Sequence, residues 1–137
     1  MPEKFSSILL VDDDPTTNHF NKLLLEEMNL SEKIHLAYDG KEALSLIRDT
    51  SSVLKDQQQI PSIIFLDLYM PMMNGFEFLE ALKEREDWYQ TYWVVLLTSS
   101  NQPADIERVN NFKVANILRK PLTSEKVRLV IREALKS

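Results

Sequence analysis

The stretch ILLVDDDPTTN (residues 8–18) joins four aliphatic residues directly to three carboxylates. An uninterrupted aliphatic run of this kind is typical of a strand buried on both faces, as in a parallel sheet. Asp14 is a good N-cap and Pro15 suits the first position of a helix, so the stretch predicts a strand, a turn and a helix. Asp12 and Asp13 remain at the turn, where adjacent carboxylates repel by roughly 1 kcal/mol per pair in water. Two explanations are open at this point, a solvated loop and a bound cation.

Strand-length apolar runs recur along the chain, and helical patterns lie between them. Strands are predicted at residues 7–11, 33–37, 62–66, 93–97 and 116–118. The first predicted helix places four apolar side chains on one face, namely Phe20, Leu23, Leu24 and Met28. Later helices are predicted to begin at Asp39, near Phe76, at Pro103 and at Thr123. Strand and helix thus alternate five times, which predicts an open α/β sheet with right-handed crossovers.

The composition limits the classes of function. The chain has 137 residues, of which 44% are hydrophobic and 27% charged, as expected for one globular domain with a core. A net charge of −5 without a basic stripe argues against a nucleic-acid surface. The lack of cysteine excludes disulfides, thiolate metal sites and thiol catalysis. Residues 1–7 show no signal-peptide pattern, and no apolar run approaches the ~18 residues of a membrane span. We therefore expect a cytoplasmic protein with no membrane partner.

Polar side chains follow four of the predicted strands. They are Asp12 and Asp13 after the first strand, Asp67 after the third, Thr98 and Ser99 after the fourth, and Lys120 with Pro121 after the fifth. Ligands of open α/β sheets bind beyond the carboxyl ends of the strands, so these groups are expected on one rim. Such oxygen ligands suit a hard divalent cation, Mg²⁺ where phosphate is present. Asp67 is then a candidate nucleophile that forms an acyl phosphate, while the metal and Lys120 neutralise the phosphoryl charge.

Four segments in order, LLVDDDP, FLDLYMPMMNG, VVLLTSS and ILRKPL, resemble the receiver domains of two-component response regulators. The likeness covers residues 8 to about 135. It implies a three-layer, flavodoxin-like (βα)5 fold whose parallel strands have the order 2-1-3-4-5. It also implies a single receiver domain over residues 1–137 with no output domain, like the stand-alone chemotaxis regulators. Such a protein is a signalling switch and not an enzyme. It takes a phosphoryl group from a phosphohistidine of a sensor kinase or phosphotransfer protein and then changes its surface toward a downstream protein.

The resemblance assigns roles to the residues of the rim. It implies that Asp67 is the phosphoacceptor. It implies that Mg²⁺ is bound by Asp13, Asp67 and the backbone carbonyl of Tyr69, with Asp12 acting through water. The phosphate-binding and switch residues would be Thr98, Ser99 and Lys120. The peptide bond before Pro121 is expected to be cis.

The sequence departs from the family pattern in several places. Ile117 stands where many receivers carry a Tyr or Phe that swings inward on activation, and the bulky Tyr69 suggests a longer-lived phosphoryl group. Segments 50–60 and 85–93 look longer than in minimal receivers, either as docking surfaces or as tolerated insertions. Gly75 is expected to adopt a positive φ before the third helix. A homodimer through the fourth helix, fifth strand and fifth helix is a further expectation.

A rival interpretation is a phosphatase of the haloacid dehalogenase class. Residues 12–16 fit the D-x-D-x-T pattern of that class, with Asp12 as nucleophile and Asp14 as acid and base. Strand geometry favours this pairing because residues two apart share a face. Against it, no acidic motif follows Lys120, the chain is short and lacks a cap, and Asp67 would have no role. The receiver interpretation is therefore preferred.

Overall fold

A computed structural model describes residues 7–31, 33–47, 62–70, 72–84, 92–99, 107–110, 112 and 114–136. The strands in these ranges are β1 (Ile8–Val11), β2 (Ile34–Ala37), β3 (Ser62–Asp67), β4 (Tyr92–Thr98) and β5 (Asn116–Arg119). The helices are α1 (Pro15–Met28), α2 (residues 40–47), α3 (Gly75–Lys83), α4 (described at residues 107–109) and α5 (Ser124–Lys136). Every predicted strand is present, and its ends differ by at most one residue from the prediction. The predicted start of α4 at Pro103, segment 50–60 and most of segment 85–93 lie outside the described residues.

The five strands form one parallel sheet in the order β2-β1-β3-β4-β5. This confirms the predicted flavodoxin-like topology. The chain reverses its direction of winding between β1 and β3, where Val11 pairs with Leu66. Asp12 and Asp67 follow these two paired residues and therefore lie side by side at the carboxyl edge of the sheet. This is the position where open α/β sheets place their ligand sites.

The core has two layers, because alternate strand residues point to opposite faces of the sheet. One layer packs strand side chains against α2, α3 and the α4 region, and includes Leu9, Val11, Ile64, Leu66, Leu96, Ala43, Phe76, Leu79 and Val109. The other packs them against α1 and α5, and includes Ile8, Leu10, Ile63, Phe65, Val95, Leu25, Val127 and Val130. Full burial of one such large side chain contributes about 1.5–3 kcal/mol. Burial on both faces explains why β1, β3 and β4 read as largely continuous apolar runs, whereas the edge strands β2 and β5 are only partly buried.

Helix α1 begins where the sequence predicts. Its N-cap is Asp14, whose side chain accepts a hydrogen bond from the backbone N–H of Thr16, and Pro15 is its first residue. The other predicted caps also form. Asp39 Oδ1 accepts from the N–H of Glu42 at 2.7 Å, and Thr123 Oγ1 accepts from that of Lys126 at 3.3 Å.

The predicted apolar face of α1 is partly wrong. Phe20 and Leu23 are 64% and 45% exposed, whereas Leu24 and Met28 are partly buried. The buried residues of the helix are Asn18, Asn21 and Leu25. The helix is thus rotated so that two asparagines face inward, and the reason lies in the hydrogen bonds of Asn18 described below.

Within the part of the chain that is described, no helix is long and apolar enough to cross a membrane.

Candidate functional site

Three carboxylates meet at the carboxyl edge of β1 and β3. One oxygen each of Asp12, Asp13 and Asp67 can be chosen so that all lie within 4.8 Å of one another. Asp12 is 4% exposed and Asp67 8% exposed, whereas Asp13 is open to solvent. Burial of like charges at this separation is unfavourable unless a cation compensates them. An all-oxygen set with one solvent-accessible member fits a hard cation such as Mg²⁺.

Lys120 supplies part of the compensating charge. Its Nζ lies 2.9 Å from Asp12 Oδ2 and 3.3 Å from Asp67 Oδ1. The pKa of Lys120 is raised; burial, the largest single influence, lowers it, but the hydrogen bonds and charges of the two carboxylates together outweigh burial. Lys120 therefore stays an ammonium group. One ammonium against three ionised carboxylates leaves a charge of −2, which one divalent cation would neutralise.

The pKa of Asp67 is raised above its usual value. Burial raises the pKa of Asp67, and the Asp12 carboxylate acts in the same direction, while Lys120 opposes them. A carboxylate with a perturbed pKa at the ligand-binding edge of a sheet is a candidate for chemistry. Asp67 is thus a buried carboxylate whose charge a positively charged or covalent partner would relieve.

Asp14 has the opposite environment. The hydroxyl of Thr17 donates to Asp14 Oδ2 at 2.8 Å and, with the N–H of Thr16, holds the pKa of Asp14 below its usual value. Its carboxylate is exposed and engaged as a helix cap. A general acid needs a pKa near the working pH. The geometry therefore disfavours the phosphatase interpretation, in which Asp14 would be the acid and base.

Asp12 is fixed at both its side chain and its backbone. The N–H of Asp14 donates to Asp12 Oδ1 at 2.9 Å. The fully buried amide of Asn18 donates from Nδ2 to the carbonyl oxygens of Asp12 and Ala37, at 2.9 and 3.1 Å. Asn18 thus ties α1 to the ends of β1 and β2. Sequence reasoning missed it; the available signal was a polar residue seven positions before Leu25, in the buried stripe of the helix.

Gly75 allows the loop after β3 to close. Its N–H donates to the carbonyl of Leu68 at 2.8 Å. A Cβ at this position would lie 2.8 Å from the Asp67 carbonyl oxygen and 2.8 Å from Leu68 Cα. The expectation of a positive φ at Gly75 is wrong, because positive φ occurs at Met72 (φ 68) and at neither glycine. Glycine is needed here for close backbone approach.

The remaining predicted residues lie around the same edge. Thr98 ends β4 and is 2% exposed, Ser99 follows it and is exposed, and Thr98 O accepts from the N–H of Lys120 at 3.0 Å. The Lys120–Pro121 peptide bond is cis. The Tyr69 side chain, two residues after Asp67, is 53% exposed at the rim. The side chain at 117 is an isoleucine that packs partly buried against the core layer of α2 and α3.

Comparison with known proteins agrees with this architecture. Residues 8–132 match the family model described as the response regulator receiver domain. The chain therefore belongs to the response regulator receiver family. A two-component response regulator from Cytophaga hutchinsonii has the same fold, with a TM-score of 0.82, 28% identity, and coverage of 98% of this chain and 99% of that one. The chemotaxis protein CheY4 of Vibrio cholerae shares the fold at 22% identity, with a TM-score of 0.76 and coverage of 95% and 98%.

The curated relatives include longer proteins. The probable C4-dicarboxylate response regulator DctR of Halalkalibacterium halodurans is 23% identical over 131 residues, which cover 96% of this chain and 52% of DctR. The chain thus spans about half the length of this relative. Receiver domains are phosphorylation-dependent signalling switches of two-component systems and bind Mg²⁺ at an acidic pocket. The cluster of Asp12, Asp13 and Asp67 is consistent with both properties.

Proposed function

We propose that Asp67 accepts a phosphoryl group from a phosphohistidine of a sensor kinase or a phosphotransfer protein. The observation that carries the proposal is the position of Asp67, a buried carboxylate at the end of β3 whose Oδ1 lies 3.3 Å from the Lys120 ammonium. In the transfer, an Asp67 oxygen forms a bond to phosphorus as the phosphorus–nitrogen bond of the donor breaks. The imidazole nitrogen keeps the electron pair, and the product is an acyl phosphate.

The residues around Asp67 have distinct roles in this proposal. Asp12, Asp13, Asp67 and the backbone carbonyl of Tyr69 would hold Mg²⁺, which neutralises phosphoryl charge when bound. The Lys120 ammonium pairs with phosphoryl oxygens after transfer, and the hydroxyls of Thr98 and Ser99 are the neighbouring donors.

Phosphorylation would add negative charge at Asp67 and thereby change the structure of a larger surface. Lys120 now contacts Asp12 and Asp67, and its backbone N–H is bonded to Thr98. A phosphoryl group on Asp67 redistributes these contacts and shifts the ends of β4 and β5, and with them the surface of α4, β5 and α5. That surface would meet the downstream protein. Because residue 117 is an isoleucine packed in the core, the switch proposed here works without an aromatic ring at that position.

The boundaries and setting of the domain stay predictions. They are one receiver domain over residues 1–137, a cytoplasmic location, and a homodimer through α4, β5 and α5.

The direct test is phosphorylation by a small acyl phosphate in the presence of Mg²⁺, followed by peptide mass mapping. We expect a label on Asp67 that is absent in Asp67→Asn. The matched control is Asp14→Asn, which removes a carboxylate of the same rim without touching the acceptor and should keep the label. A label on Asp12, together with turnover of a phosphate ester that Asp14→Asn abolishes, would contradict the proposal and favour the phosphatase.

A further inference from the structure

Lys126 is a cation at a place where a helix disfavours one. Helix α5 follows Thr123, whose Oγ1 accepts from the N–H of Lys126 at 3.3 Å, so Lys126 lies at the third position of the helix. The unpaired N–H groups of a helix N-terminus carry partial positive charge and favour an acidic side chain. A residue that opposes the local preference needs another reason for being there.

The reason is a pair of hydrogen bonds that reach back to the preceding loop. Lys126 Nζ donates to the carbonyl oxygen of Arg119 at 2.6 Å and to that of Pro121 at 2.9 Å. These two carbonyls flank Lys120 on either side. A single ammonium group therefore fixes the backbone before and after the residue that contacts the acidic site.

The same short loop is held from the sheet as well. The N–H of Lys120 donates to Thr98 O at 3.0 Å, while Lys120 Nζ extends to Asp12 and Asp67. The backbone of Lys120 is thus fixed by β4 on one side and by α5 on the other. A long, flexible lysine side chain delivers its charge to one point only if its backbone is held in place.

We propose that Lys126 is the positioning residue for Lys120, so that the Lys120 ammonium meets the phosphoryl group on Asp67. The proposal rests on the proposed function of Asp67. Lys126 acts through the loop at residues 119–121 and does not contact the acidic cluster itself. Its loss should therefore weaken binding of a phosphoryl group while leaving binding of Mg²⁺ intact.

Beryllofluoride, which stands in for a phosphoryl group on an aspartate, separates these two events. Two titrations of the full chain are followed by amide NMR, one with Mg²⁺ alone and one with beryllofluoride at saturating Mg²⁺. Lys126→Met keeps the aliphatic stem and removes the donors. We expect it to weaken beryllofluoride binding roughly tenfold, the smallest effect usual for loss of a residue that orients a binding group. Mg²⁺ binding should change less than about twofold.

Two further variants separate positioning from charge and from folding. Lys126→Arg keeps donors for both carbonyls and should restore beryllofluoride affinity to within about twofold. Arg128→Met removes the same charge from an exposed position of α5 and should bind both ligands like the wild type. Lys126→Gln can keep one of the two bonds, so it should fall between Lys126→Met and the wild type, and it serves in place of Lys126→Met if that variant does not fold.

Several outcomes would overturn the proposal. The first is an unchanged beryllofluoride affinity in Lys126→Met, or in Lys126→Gln where that variant replaces it. The second is a loss of Mg²⁺ affinity as large as the loss of beryllofluoride affinity. The third is a loss of beryllofluoride affinity in Arg128→Met as large as that in Lys126→Met. In each of these, beryllofluoride binding by the wild type leaves the proposed role of Asp67 standing. If the wild type itself binds no beryllofluoride and takes no label on Asp67, the proposed function fails and the role of Lys126 fails with it.

Discussion

Replacement of Gly75 by alanine is predicted to disturb the loop that carries Asp67, whereas the same change at Gly40 should be tolerated. These are the two glycines of the chain. A Cβ at residue 75 would lie 2.8 Å from the carbonyl oxygen of Asp67 and from Leu68 Cα, which are backbone atoms. A Cβ at residue 40 would meet Cγ and Sδ of the flexible Met73 side chain at 2.8 and 2.9 Å, and the Met73 carbonyl oxygen at 3.1 Å.

The expected magnitudes follow from these contacts. Overpacking against fixed atoms costs about 1–3 kcal/mol, and the lower entropy of unfolded alanine returns about 0.4–1 kcal/mol. From the middle of these two ranges, Gly75→Ala should lose about 1.3 kcal/mol of unfolding free energy. With an unfolding entropy of about 2.1 cal/mol/K per residue, this lowers the Tm by roughly 4–5 °C. At Gly40, the Met73 side chain can move away and the carbonyl oxygen at 3.1 Å has to give by only a few tenths of an ångström, so the loss should be smaller than at Gly75 and partly offset by the entropy gain.

Thermal unfolding without Mg²⁺ and the rate of Asp67 phosphorylation by a small acyl phosphate test the two variants. The rate of Gly75→Ala should fall by about tenfold, because a displacement of 1 Å at a reacting group costs up to ~100-fold. Wild-type stability and rate in Gly75→Ala would refute the close-approach argument. An equal loss in Gly40→Ala would show that the effect belongs to glycine replacement in general.

Three further predictions concern the acidic cluster. Because burial raises the pKa of Asp67, its contribution to stability is present below about pH 3.8 and is lost as the pH rises through the folded pKa. In EDTA, Asp67→Asn should therefore have a higher Tm than the wild type at pH 7, and the difference should shrink toward pH 3.8 and below. Thermal unfolding measured across this pH range checks the prediction, and a lower Tm of Asp67→Asn at pH 7 would contradict it. Mg²⁺ at about 100 times its Kd should stabilise the wild type by about 2.7 kcal/mol and Asp13→Asn much less, and an unchanged response in that variant would remove Asp13 from the ligand set. Asn18→Leu removes the side-chain donor to the carbonyls of Asp12 and Ala37, of which Ala37 keeps the backbone N–H of Asp12, and should cost about 1–3 kcal/mol and weaken Mg²⁺ binding. Leu25→Ala should cost a similar amount at an unchanged Mg²⁺ affinity, so equal losses of Mg²⁺ affinity would refute the link from Asn18 to Asp12.

The fold could be predicted largely because its three central strands, β1, β3 and β4, are buried on both faces. Strands that are buried on both faces consist of consecutive apolar residues, which can be recognised in the sequence. Parallel pairing then restricts the possible topologies. The face of α1 was harder to predict. Phe20 and Leu23 are apolar yet exposed, because Asn18 turns inward and its side chain donates to the carbonyls of Asp12 and Ala37. Such a contact appears only when two strands and a helix meet in space.

The charged members of the site could be predicted from the same topology. Residues that end parallel strands share an edge, so Asp12, Asp67 and Lys120 were expected to meet, and they do. The supporting residues could not be predicted in this way. The need for glycine at 75 depends on a distance to the Asp67 carbonyl oxygen, and the contacts of Lys126 depend on the path of the loop before α5.

Three departures from local preference among the described residues lie near the same edge of the sheet. A polar residue occupies the buried face of α1, a glycine begins α3, and a cation lies in the first turn of α5. Helix propensity, the apolar pattern and the helix dipole, taken without tertiary contacts, would favour leucine at 18, alanine at 75 and an acid at 126. Each of the three residues instead contacts the backbone of a segment that carries a charged group of the site: Asn18 that of Asp12, Gly75 that of Asp67, and Lys126 the carbonyls beside Lys120. Independent departures would be scattered over the fold. Their convergence on one edge holds the backbone there in position, as the proposed chemistry of Asp67 requires.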